Sequence, residues 1–171
     1  PVPKTFEQLK VYPNSPFLPA DLLRSFVAEV LGLGSFDLYR NDQELGGGWR
    51  ANYDKTDVSN RTTQDMEQYA VRSGDRLRRR GFELFLDMIA GKPTVILDKD
   101  ADDRTYVNEA ATNLAKTKRA DLSRAFDTYI RSSQERMDSV ANEFNRLLSG
   151  YVKPSIPDWV VSFDGMSSNW K

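Results

Sequence analysis

The stretch that decides the fold is RTYVNEAATNLAKTKRADLSRAFDTYIRSSQERMDSVANEFNRLLS, residues 104–149, which contains neither Gly nor Pro. Phe126, Ile130, Met137, Val140, Phe144, Leu147 and Tyr151 recur in steps near three and four, with Ser133 in the remaining slot. That spacing predicts a helical seam like that of a coiled coil. Arg124, Arg131, Arg136, Asp138 and Glu143 fall on the opposite face. At 1.5 Å per residue the 46 residues would span roughly 70 Å, more than the diameter of a domain this small. A break is therefore expected, around Lys116–Asp121, unless the subunit is a rod.

Two further helices are predicted upstream. Residues 20–33 place Leu22, Leu23, Phe26, Val27, Val30 and Leu31 on one apolar face, start at Pro19 or Asp21 and stop at Gly32 and Gly34. Residues 62–90 repeat Met66, Tyr69, Ala70, Leu77, Phe82, Phe85, Leu86 and Ile89 at helical spacing, with Thr62 or Thr63 as cap and Gly91 and Pro93 as stop. Between them, residues 35–61 are turn-rich around Gly46, Gly47 and Gly48. The run Thr94–Leu97 is a short β-like segment expected to pair with part of 36–39 or 158–163.

Five prolines in residues 1–19, and Pro154 with Pro157 in residues 152–171, predict extended arms. Large apolar residues threaded through both suit arms that pack, on this chain or on a neighbour. The expected fold is mainly α with little β. The domain scheme is an extended N-terminal arm over 1–19, a helical bundle over 20–151 and an extended C-terminal arm over 152–171.

Composition narrows the chemistry. The 171 residues include no Cys and no His, which removes thiolate nucleophiles, disulfides, zinc–thiolate sites and imidazole bases. No carboxylate pair is singled out by spacing, so a non-enzymatic role is expected. Lys and Arg total 24 against 25 Asp and Glu, so attraction to a polyanion must come from a local patch. No apolar run is long enough to span a membrane, and no membrane partner is expected. The opening PVPKTF lacks an initiator Met, which fits removal of Met or of a longer leader. Asn60-Arg61-Thr62 has the form of a glycosylation sequon.

Three constellations carry candidate chemistry. Arg72, Arg76, Arg79 and Arg80 fall at i, i+4, i+7 and i+8 of the second predicted helix, with Arg78 among them. Arg suits phosphate because its planar fork donates paired hydrogen bonds, so this stripe, joined by Arg50 beside Trp49, is a candidate to track a nucleic-acid backbone; the alternative is a solvated face paired with acids such as Asp75, Glu83 and the 98–103 loop. Asp98, Asp100 and Asp102, with Glu109 eleven positions after Asp98, meet the 1, 3, 5 and 12 spacing of a calcium loop. Against that, Asp103 stands where the loop wants Gly, and the alternative is an acidic loop capping the next helix through Asp102 or Asp103. No other cofactor is expected.

The third is Arg124-Ala125-Phe126-Asp127. With the arms and the lack of catalytic residues, it resembles the coat proteins of filamentous and rod-shaped plant RNA viruses, whose bundles carry an Arg and a Phe-Asp pair on a late helix. The resemblance implies an ion pair between Arg124 and Asp127 near an RNA groove. It also implies assembly with copies of itself into a helical nucleoprotein, and residence in the virion or the host cytoplasm. Two alternatives stay open: an accessory subunit of a larger complex, and a calcium-binding helical protein.

Overall fold

Apolar spacing, Pro19 and Gly32 place the first helix where the sequence puts it. Helix α1 covers Ala20–Leu31, and Gly32, at φ +76°, ends it in the left-handed conformation. The computed structural model describes residues 2–40, 48–55 and 68–150. A single 3-10 turn, Phe6–Gln8, precedes α1. After it come β1 (Asp37–Arg40), β2 (Trp49–Asn52), β3 (Val71–Ser73), β4 (Arg76–Arg79), α2 (Gly81–Ile89), β5 (Leu97–Lys99), β6 (Thr105–Val107), α3 (Glu109–Arg131) and α4 (Gln134–Gly150).

The mainly-α expectation is corrected. Among the described residues helices make up 50% and three small antiparallel two-stranded sheets another 16%, so the fold is mixed α/β. The sheets are β1–β2, β3–β4 and β5–β6. The expected helix over 62–90 fails first. Gly74, at φ +61°, sits at the first central position of a two-residue turn with Asp75. That is the hairpin pattern in which glycine is needed, and it interrupts any helix. Only Gly81–Ile89 of that segment is α2; residues 62–67 lie outside the described residues. The Thr94–Leu97 run is corrected next, because the strand Leu97–Lys99 pairs with Thr105–Val107, not with 36–39. Its expected partner 158–163, the C-terminal arm and Asn60 lie outside the described residues.

The long tract breaks, but not at Lys116–Asp121. Helix α3 ends at Arg131, and Ser133, the one polar residue in the apolar seam, starts α4. Its hydroxyl accepts the Arg136 N–H at 3.3 Å, serving as an N-cap.

Helices α1, α2 and α3 meet in a phenylalanine cluster. Phe26, Phe85 and Phe126 are buried, with ring centroids 4.7 Å (Phe26–Phe85), 5.1 Å (Phe26–Phe126) and 5.4 Å (Phe85–Phe126) apart. Residues 2–19 fold back on this body. Phe6 and Leu18 are buried. The Lys4 N–H donates to Asn145 Oδ1 at 2.9 Å, and Asn145 Nδ2 donates to Lys4 O at 2.8 Å. Arg131 Nη1 holds both carboxylate oxygens of Glu7, at 3.1 and 3.0 Å. Thus residues 2–19 wrap their own chain. No described helix is long and apolar enough to cross a membrane.

A polar clasp ties α1, α3 and α4 beside the cluster. The Tyr129 hydroxyl donates to Glu29 Oε2 at 2.7 Å, and the Arg136 guanidinium lies 3.7 Å from the Tyr129 ring centroid. Burial, and the Glu29 carboxylate next, push the Tyr129 phenol up to about 12. A raised folded pKa favours the protonated form, so its stabilisation is complete below the unfolded value of 10 and is lost as pH rises towards 12. The stability gap between wild type and Tyr129→Phe in urea melts is expected to be about 1 kcal/mol at neutral pH and to shrink between pH 10 and 12. Phe126→Ala, which empties the centre of the cluster, is expected to cost about 3–5 kcal/mol in the same melts.

Candidate nucleic-acid interface

Hairpin β3–β4 displays the arginines, and its register divides them. Ser73 faces Arg76 and Arg72 faces Leu77, so Arg76 and Arg72 project from opposite faces of the ribbon. The single helical stripe expected from the sequence does not form, because the residue period is two rather than 3.6. Both side chains are exposed, and Arg72 Nη1 donates to Asp75 O at 3.1 Å across the turn. The pairing skips one residue between Arg79, opposite Val71, and Leu77, opposite Arg72. Arg78 is thus the extra residue of a β-bulge, the device that re-aims a side chain.

Arg78 is re-aimed at the next hairpin. Its Nη1 pairs with Asp98 Oδ1 at 2.6 Å and its Nη2 donates to Leu97 O at 2.9 Å. Asp98 Oδ2 accepts from Asn108 Nδ2 at 2.7 Å, and Asn108 Oδ1 accepts the Ala111 N–H at 3.0 Å, capping α3. The cap is therefore Asn108 and not Asp102 or Asp103, since β6 lies between the acidic turn and the helix. The hydrogen bond from Asn108, then that from Arg78, hold the Asp98 carboxyl below its ordinary value.

The remaining members of the calcium spacing take other tasks. Asp100 Oδ1 accepts the N–H groups of Asp102 and Arg104, each at 2.9 Å, and so closes the β5–β6 turn. Asp103, at φ +63°, takes the left-handed position that ends such a three-residue turn. Glu109 lies in the first turn of α3. Among the described residues no three acidic side chains gather as a metal would require.

Arg50 and Arg79 do come together. A cleft of about 220 Å³ between β2, β4 and α2 is lined by Arg50, Tyr53, Arg79, Glu83, Asp87 and Lys92. Arg50 Nη1 donates to Trp49 O at 3.2 Å and to Ala90 O at 3.3 Å, at the electronegative end of α2. Gly48 makes this possible: a Cβ there would lie 3.1 Å from Ala90 O and 3.2 Å from Arg50 Nη1. Arg79 Nη1 donates to Arg78 O at 2.9 Å. Such carbonyl bonds orient a guanidinium. The two acids of the cleft accept from neutral donors. Glu83 Oε1 accepts the Arg80 N–H at 3.1 Å and Asp87 Oδ2 accepts the Thr94 hydroxyl at 2.9 Å. Arg80 stands at the N-cap of α2. Burial, then the Glu83 and Asp87 carboxylates, raise the Tyr53 phenol, which keeps it a hydrogen-bond donor.

The pair implied by Arg124-Ala125-Phe126-Asp127 is not formed. Arg124 pairs with Asp121 one turn back, and Asp127 Oδ2 accepts Arg131 Nε at 2.9 Å one turn on. Both pairs are part-exposed, and only Phe126 of the tetrapeptide is buried. Lys92 and Tyr53 were missed as site residues. The Gly91-Lys92 helix stop carried the available signal, since Gly91, at φ +69°, turns Lys92 back over the end of α2.

Residues 13–149 match the model of a family described as a domain of unknown function, DUF8437, and the chain belongs to that family. No curated protein and no solved structure matches the chain.

Because the folded Asp98 carboxyl is depressed, its stabilisation is present above the ordinary value of 3.8 and is lost as pH falls through the lower folded value. The stability gap between wild type and Asp98→Asn is expected to be full at neutral pH and to close below about pH 4, read from urea midpoints across an acid series.

Proposed function

We propose that the protein is a non-catalytic structural subunit that binds single-stranded RNA through its phosphates and assembles with copies of itself. The observation that carries the reading is the convergence of Arg50 and Arg79, from two separate ribbons, on one cleft. The exposed Arg72 and Arg76 extend the same basic hairpin. The planar guanidinium suits bidentate contact with phosphate. Tyr53, at the cleft wall, offers a ring against which a base can stack. The cleft is lined by Arg50, Arg79 and Lys92 against Glu83 and Asp87, so its cations outnumber its acids in a chain of net charge −1. A helical nucleoprotein coat is the form of assembly that the sequence resemblance suggests; the arginines, not the Arg124–Asp127 tetrapeptide, support the RNA reading.

Fluorescent single-stranded RNA titrated at several salt concentrations, with light scattering on the same samples, tests it. Binding is expected to weaken as salt rises. In Arg50→Gln, Arg76→Gln and Arg79→Gln the slope of log K against log salt should fall by about 0.7 for each arginine removed. Absence of binding at low salt, or slopes indifferent to the three replacements, would overturn the reading and favour an accessory subunit with protein partners.

A further inference from the structure

Hairpin β5–β6 has two unlike edges. The Asp100 N–H donates to Arg104 O at 3.0 Å, and the Asn108 N–H donates to Ile96 O at 2.8 Å. These bonds set the alternation of the ladder. Leu97 faces Val107 and Lys99 faces Thr105 in the intervening positions, so the backbone groups of these four residues point outward. On the β5 side Arg78 occupies Leu97 O. On the β6 side no described residue pairs with the N–H or C=O of Thr105 or Val107. All three residues of β6 are exposed, Tyr106 at 50%, and Leu97 across the ladder is exposed at 51%. The strand has no Pro, Lys or bulge, the devices that protect an edge from pairing.

We propose that β6 pairs antiparallel with β6 of a second copy, about a two-fold axis at Tyr106. The occupant follows from the edge itself. Its two outward-facing residues stand symmetrically on either side of Tyr106, so the edge is complementary to itself. Thr105 of each chain then lies opposite Val107 of the other in the hydrogen-bonded relation, and four N–H···O=C bonds form. Tyr106 meets its own copy in the closer, non-hydrogen-bonded relation, at about 4.5 Å between Cα atoms, where aromatic pairs stabilise a sheet. Arg104 falls opposite Asn108, so no like charges face each other in these pairs. Leu97, Val107 and Thr105 of both copies line one face of a four-stranded sheet, in place of two ribbons that are marginal by themselves. The inference gives the self-association half of the proposed function its surface and rests on that half alone.

The full chain has no cysteine, so single replacements report the register. Wild type is expected to scatter light as a dimer or a larger assembly built on it. Under mild oxidation Tyr106→Cys should cross-link roughly tenfold faster than Thr105→Cys, since only residue 106 meets itself. Val107→Pro deletes an outward N–H that the β5 ladder does not use, and Tyr106→Lys places two ammonium groups together. Both should lose the dimer while keeping the far-ultraviolet dichroism and the RNA titration of the wild type. Equal cross-linking at 105 and 106, or a dimer that survives both replacements, would overturn the β6 pairing and leave self-association through another surface. A wild type that stays monomeric would overturn both, and RNA binding by that monomer would leave the phosphate reading intact.

Discussion

The contact among Phe26, Phe85 and Phe126 is the constraint on which the rest of the molecule depends. It is the point at which the first, second and third helices touch, and each ring comes from a different one. Helix α2 has nine residues and buries Phe82, Leu84, Phe85, Met88 and Ile89, so it is apolar nearly all round and has no stability outside this packing. Its two ends hold the candidate site. Arg80 leads in from the basic hairpin at one end, and Ala90 and Lys92 close the cleft at the other. The positions of the arginines are thus consequences of aromatic packing rather than of charge.

A second layer of order is polar and joins the ribbons to the helices. Arg78, Asp98, Asn108 and the first turn of α3 form one chain of hydrogen bonds, charge-assisted on both sides of Asp98. One arginine of the basic hairpin is thereby structural, although Arg72 and Arg76 of the same hairpin are exposed. Five arginines within nine residues look equivalent in a composition count, and a single bulge separates their roles.

The parts legible in the sequence were those whose signal is local and repeated. Helix α1, its start after Pro19 and its end at Gly32 followed from spacing and capping chemistry. The helical character of the 104–149 tract followed too, but only from Glu109 on, since 105–107 form β6, and its break was misplaced, falling where the Ser133 hydroxyl caps α4. The β content was not legible from apolar spacing, since a hairpin of three- and four-residue strands holds too few residues to show a period. The β-like run Thr94–Leu97 marked β5, and Gly74-Asp75 marked the β3–β4 turn. Arg50 and Arg79 were named together as candidates, and the cleft unites them, but through a turn and a helix end rather than a shared helical face. Arg124 and Asp127 lie three apart, a spacing that permits contact, yet each found a partner on its own far side.

Every described sheet joins strands that are next to each other along the chain. Closing a short loop costs little chain entropy, and β3–β4 and β5–β6 need only two- and three-residue turns. The strand pairing therefore requires no distant encounter, and the slow part of assembly falls to the helices, with Phe26 and Phe126 one hundred positions apart. A chain built this way reaches its ribbons by short-range closure, but two-stranded ribbons are marginal alone, so they depend on the late aromatic docking step to persist.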